Sequence, residues 1–413
     1  MSDPKKPTLD RADTRVTYAT GISGTIKTFV DQVKSGDLGS LPVIVGLVII
    51  WTVFTALNPI FLSPNNLVNM LFDCSTTGVI SLGIVCVLML GEIDLSVGSM
   101  SGVGSTLIGV LWVNAGVPLP LAILAAILAG AIIGSLYATL RNRLGMPSFV
   151  STLSGLLALL GLQLYLLGAT GSINLPYSSN MVNFGQLLII PAAASYALCL
   201  LPGLVMLIVG LQTNAKRRAA NLSAGSTTGV ALKAALTTIG LLAVIFYLNL
   251  GRGVPWMFAL FVALVLVMNY AFTRTQWGRS MKAVGGNAEA ARRAGINVRG
   301  IYVSAFVLCS SLAALGGVLS SARLASASQQ AGTGDVNLNA IAAAVIGGTS
   351  LFGGRGTAFS ALLGIIVIQS IANGLTLLNL SSSLRYMITG GVLAIAVIVD
   401  SLARQSRVSH GRA

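Results

Sequence analysis

Glu92 and Asp94 stand two residues apart between two long apolar stretches. A charged carboxylate at the centre of a bilayer costs several kcal/mol unless it is paired, hydrated or protonated. Two roles fit such a pair. It can take up and release a coupling ion. Alternatively, Asp94 N-caps a helix that begins at Leu95, with Ser96 supporting the cap, and the interrupted helix lines a path through the membrane. The cap needs only local geometry, and it is compatible with a place on the path. Polarity alone does not make either residue a solute ligand. Little else offers covalent chemistry. The one histidine, His410, lies in the C-terminal tail. Cys74, Cys86, Cys199 and Cys309 lack CxxC or zinc-ligand spacing and read as buried thiols. No HExxH, GxSxG or Walker-type Gly-Lys-Ser/Thr run is present. No catalytic residue and no metal site is expected.

The elements that position these residues are helices crossing lipid. Residues 41–57, 118–140, 187–211, 232–250, 257–272 and 361–378 are apolar runs, close to the roughly 20 residues that span a hydrocarbon core. Charged residues make up 9% of the chain, against about 25% in a soluble domain. The 47 glycines suit closely packed membrane helices, and Gly98/Gly102 and Gly130/Gly134 stand at small-xxx-small spacing. A net charge of +14 would suit nucleic acid if the basic residues shared one polar face. They lie instead in short loops and at both tails, as the positive-inside rule requires. With the N-terminus inside, only Arg252, Arg323 and Arg385 of the 25 basic residues fall outside.

The expected fold is an all-α membrane protein, a polytopic bundle of 10–12 transmembrane helices with one or two broken or half helices. Residues 92–104 and 340–351 are the candidates for the breaks, being too polar or too short for full crossings. Ser96 and Gly98 belong to the first. Gly347 and Gly348 belong to the second, where they permit tight turns. The transmembrane domain covers 41–403. Residues 1–40, without a signal peptide and with a surface helix near 22–33, form a cytoplasmic tail, and 404–413 form another.

The most polar internal segment is 274–300, and within it 287–295 is punctuated as a short helix. Asn287 is a good N-cap, Glu289 sits favourably in the first turn, Ala288, Ala290, Ala291 and Ala294 favour helix, and Gly295 is a natural stop. One reading is a solvated connector. The other is a rigid element, tied to a span at each end, that docks into another protein and passes on its motion. Glu289-Ala290-Ala291, three residues, then Gly295 resembles the EAA–xxx–Gly loop of ATP-binding-cassette importer permeases. Residues 92–99, Glu-Ile-Asp-Leu-Ser-Val-Gly-Ser, resemble a signature of the ribose/xylose-type permeases. So do Pro147-Ser148-Phe149, Arg252-Gly253-Val254-Pro255, Gly285-Gly286-Asn287 and 345–351, with Glu92 and the Arg-Gly-Val-Pro turn nearest the D-xylose branch.

This resemblance covers about 41–403. It implies the permease subunit of a bacterial sugar importer in the inner membrane, not an enzyme, for D-xylose or a similar monosaccharide. It implies as partners an ATP-binding-cassette ATPase, a periplasmic or extracellular sugar-binding protein, a second copy in a homodimer, and the lipid bilayer, with no nucleic acid. ATP and Mg would be bound by the ATPase, so this chain holds no cofactor. Asn287, Glu289, Ala290, Ala291, Arg292 and Gly295 would couple to the ATPase. Glu92, Asp94, Ser96, Gly98, Gly347 and Gly348 would form the pathway or helix breaks, and selectivity would rest largely with the binding protein. The rival is an ion-coupled secondary transporter using Glu92 or Asp94.

Overall fold

In the computed structural model the apolar runs become helices, and proline or glycine sets several of their ends. The structure describes residues 41–392 apart from 223 and 382, together with 394 and 398. The two expected tails, the surface helix near 22–33 and the last part of the final expected crossing, 384–402, lie outside the described residues. The helices are α1 Leu41–Leu57, α2 Pro64–Leu88, α3 Val97–Leu107, α4 Leu119–Leu144, α5 Ser148–Leu167, α6 Asn180–Gln186, α7 Ala192–Ala219 and α8 Thr227–Asn249. There follow α9 Trp256–Arg274, α10 Gln276–Gly286, α11 Ala288–Arg293, α12 Val298–Leu324, α13 Val336–Ile346 and α14 Ala358–Leu377, and 383–392 is also helical. Two three-residue strands, β1 Ser172–Asn174 and β2 Ser326–Ser328, pair antiparallel with Ile173 opposite Ala327.

The described residues hold nine helices long and apolar enough to cross a membrane, with shorter apolar helices at Val43–Leu57 and Val336–Ile346. The chain is a polytopic all-α membrane protein. The two suspected breaks resolve differently. α3 continues through a π-helical turn, Ile108–Asn114, and the pair together reaches the 18 residues of a crossing. α13 has only 11 residues, about 16 Å of rise, and is a half helix.

Two compact units form, one within 190–254 and the other from 41–189 with 255–392. The first is the α7–α8 hairpin. Asn249 Nδ2 donates to Ser195 Oγ at 3.1 Å across it, and Ser226 caps α8 by accepting from the Gly229 N–H. Only 6% of the apolar window of α8 is buried, so nearly all of its surface is left for lipid or another chain.

The second unit is built around α2, of whose window 78% is buried, and α12. α12 packs along α2, α3 and α4, and α14 packs on α2, α13 and α1. Small residues allow this closeness. A Cβ on Gly130 would lie 2.5 Å from the Ser310 carbonyl oxygen, and one on Gly134 would run into that of Phe306, so the Gly130/Gly134 pair is the seam between α4 and α12. Polar ties close the opposite end of α2. Asn66 and Asn373 exchange amide hydrogen bonds at 2.7 and 3.0 Å, and Asn58 Nδ2 donates to the Leu377 carbonyl. Asp73 of α2 pairs with Arg323 of α12 at 2.9 Å.

Candidate functional site

Three N-caps in a row shape the segment from 274 to 300. Thr275 accepts from the Gly278 N–H, Asn287 from the Ala290 N–H and Asn297 from the Gly300 N–H, starting α10, α11 and α12. α11 is six residues long, shorter than the two turns expected. Its C-terminus is a Schellman motif. Gly295 has φ +82°, its N–H bonds to the Arg292 carbonyl, and the Ile296 N–H bonds to that of Ala291. Glu289 reaches Arg292 at 2.6 Å and Arg293 at 3.3 Å along the exposed side. Asn287, Glu289, Ala290, Arg292 and Gly295 are exposed, whereas Ala291 is buried. Ala291 therefore anchors the helix to its own chain, and the other five present a surface.

α10 is the base of this element. Trp277 stacks on Phe272 with centroids 5.6 Å apart and donates from Nε1 to Ser304 Oγ at 2.8 Å, fixing α10 to α9 and α12. Met281 and Val284 are buried.

The end of α10 sits in a junction of bare backbone. A Cβ on Gly285 would collide with the Met89 carbonyl oxygen and lie 2.7 Å from the Gly354 nitrogen. One on Gly353 would lie 2.6 Å from the Gly285 oxygen and 2.9 Å from the Gly91 nitrogen. The Gly354 N–H donates to the Met89 carbonyl at 2.9 Å. Gly91, Gly353 and Gly354 have φ of +75°, +82° and +74°, a region other residues adopt only at a cost. Three segments thus meet with no side chain between them: the break after α2, the end of α10 next to α11, and the loop between α13 and α14. Gly347 closes the far side of that loop, where a Cβ would strike the Ser360 carbonyl of α14. Gly348 turns the chain at φ +103°.

The break itself departs from expectation. The helix starts at Val97, so Ser96 occupies the cap position and makes no side-chain cap bond. Asp94 lies two residues further out. Its Oδ1 accepts from both the N–H and the hydroxyl of Ser96, at 2.8 and 2.7 Å, which folds a local turn ahead of the helix. The Leu95 N–H goes to Thr152 Oγ1 of α5. Asp94 is wholly buried, and its Oδ2 has no partner among the described residues. Gly98 donates its N–H to Asn337 Oδ1, joining α3 to α13. Gly102 abuts the Gln163 side chain, whose Nε2 donates to the Ala331 carbonyl at 2.9 Å.

Glu92 faces Arg141 at 2.6 Å, and the guanidinium lies 3.2 Å from the centre of the Tyr302 ring. α4, α12 and the break are thereby pinned together. Sequence reasoning identified Glu92 and the α11 segment but missed Arg141, Tyr302 and the glycines at 91, 285, 353 and 354 as one assembly. The basic pair in the last turn of α4, Arg141 and Arg143, was the one available pointer to a partner for Glu92.

The chain matches the family described as branched-chain amino acid transport system / permease component over residues 66–397. It belongs to that permease family. It is 36% identical to the xylose transport system permease protein XylH of Escherichia coli over 376 residues, 90% of this chain and 94% of the relative. The corresponding protein of Haemophilus influenzae is 34% identical over 90% of this chain and 98% of the relative. The ribose import permease protein RbsC of Escherichia coli is 30% identical over 87% and 92%. No solved structure matches this permease.

Proposed function

We propose that this chain is the membrane-spanning permease subunit of an ATP-driven bacterial sugar importer for D-xylose or a similar monosaccharide. The similarity to xylose transport permeases across nine-tenths of the chain carries the sugar reading. A separate ATPase binds ATP and Mg at the cytoplasmic face of the inner membrane. A soluble sugar-binding protein delivers substrate on the other side, and two copies of this chain form the pore. Both termini are cytoplasmic.

The junction explains how force would enter. α11 offers Asn287, Glu289, Ala290, Arg292 and Gly295 to the ATPase, while Ala291 and α10 hold it to the bundle. Displacing α11 moves Gly285, and Gly285 rests directly on the α2 break and on the α13–α14 loop. No flexible side chain intervenes to absorb the motion, so these backbones must shift together. Ion coupling through Glu92 is not favoured, because Arg141 already neutralises that carboxylate.

The test uses membrane vesicles holding this chain with its ATPase and binding protein. Glu289→Lys places a third cation beside Arg292 and Arg293. Gly295→Pro demands φ near −65° where the chain has +82°. Each abolishes ATP-dependent xylose uptake while the protein remains in the membrane at normal level. Normal uptake by either variant would count against the docking role.

A further inference from the structure

α13 and α14 form a hairpin whose loop is part of the glycine junction. At the other end of the hairpin is a cavity of about 170 Å³ lined by Asp335, Asn339, Ala372, Arg385, Tyr386 and Thr389. Along α14, from Ala358 at its start to Ala372, it lies roughly 21 Å from the junction end at helical rise. A cavity of about 150 Å³ accommodates one benzene ring, so this one suits a single six-membered ring. Its lining is mixed. Ile368, Ala372 and Leu375 give an apolar side. Asp335 Oδ2 accepts from Asn339 Nδ2 at 2.8 Å. The Asn339 Oδ1 is buried with no partner among the described residues, an acceptor that a modest turn of the amide would present to a hydroxyl. Arg385, also in the lining, donates from Nη1 to Thr376 Oγ1 at 3.2 Å.

We propose that this cavity is a transient binding site for one neutral monosaccharide on its way through the permease. The proposal rests on the importer reading above. One carboxylate and one guanidinium balance in charge, which disfavours a cation or an anion. The acceptors of Asp335 and Asn339 suit sugar hydroxyls, and Tyr386 and Thr389 add hydroxyls that donate or accept. The Tyr386 ring supplies an apolar face with a polar tip. On the proposed orientation the cavity lies at the end of the hairpin nearer the side where a binding protein releases its load. α13 ties the site to the driving end, because Asp335 and Asn339 are at its start and Gly347 is at its stop. The half helix is packed on α14 through Gly364, where a Cβ would strike the Ala343 carbonyl oxygen. A movement at the junction therefore moves the polar lining of the cavity. A zwitterionic amino acid is the competing occupant, since it too satisfies one acid and one base.

Saturation-transfer NMR on the whole chain in nanodiscs, with D-xylose and with L-leucine as probes, distinguishes them. Transfer to xylose is expected, and it should fall at least about tenfold in Asn339→Leu and in the nearly isosteric Asp335→Asn, the loss of one strong hydrogen bond. Transfer to leucine alone, or xylose transfer that both variants leave intact, overturns the site. In parallel, vesicles with the ATPase and binding protein should carry about tenfold fewer xylose molecules per ATP hydrolysed in Asp335→Asn. An unchanged ratio also overturns it. Wild-type vesicles that hydrolyse ATP without taking up any sugar would instead refute the importer reading itself.

Discussion

Glu92 and Arg141 form a half-buried ion pair whose net value depends on desolvation as much as on attraction. Their side chains are 15% and 26% exposed, so removing one partner strands the other in a poorly hydrated place. Glu92→Gln and Arg141→Met should each destabilise the folded permease by about 1–3 kcal/mol. The double variant should cost less than the sum by about 1 kcal/mol or more. Unfolding curves in mixed detergent micelles would measure this, and strict additivity would mean that the pair contributes nothing. The same Glu92→Gln variant should still take up sugar, which an ion-coupled carrier relying on that carboxylate could not do. The carboxylates were legible in the sequence because charge in an apolar stretch demands a reason. Their partners were not, since Arg141 lies 49 positions from Glu92 and nothing local links the two. Asp94 was read as a cap, but its carboxylate bonds to Ser96 in the turn ahead of the helix, a difference that leaves no trace in composition.

At the level of elements, α11 was legible because its punctuation is local: a cap, a first-turn acid and a stopping glycine within nine residues. Its shortness follows from the same signals, since the Schellman motif claims the last turn. The junction was invisible for the opposite reason. Glycines 91, 285 and 353 belong to three distant segments, and a glycine chosen for backbone contact looks like any other in a chain with 47 of them. Its tightness makes a sharp prediction. Gly285→Ala adds one methyl that collides with the Met89 carbonyl, a backbone atom that cannot swing aside. Gly286→Ala, one residue on, meets nothing within 4 Å. Uptake in the vesicle assay should therefore fall by about tenfold or more in the first, the order expected when overpacking costs about 1–3 kcal/mol, and stay near wild type in the second. Equal effects would mean that the close backbone contact is not what transmits the motion.

For the whole molecule, hydropathy and charge determine the class and leave handedness across the membrane to be tested. The basic residues set the expected orientation, and the geometry separates two places that this orientation puts on opposite faces: α11 at the junction end and the β2–α13 connection at the cavity end. A labelling experiment follows from the cysteines already present. Cys74, Cys86, Cys199 and Cys309 are all free and buried, so a membrane-impermeant maleimide should react weakly with the native chain. Ala290 and Gln330 are both exposed. In Ala290→Cys the new thiol should react only in inside-out vesicles, and in Gln330→Cys only in intact cells or right-side-out vesicles, with permeabilisation restoring label to both. Reversal of the two patterns would put α11 on the outer face, beyond reach of a cytoplasmic ATPase, and would refute the importer mechanism even though every helix stayed where it is. Label at both positions from one side would mean that the α13–α14 hairpin does not connect the two faces, and the mechanical path from junction to cavity would fail with it.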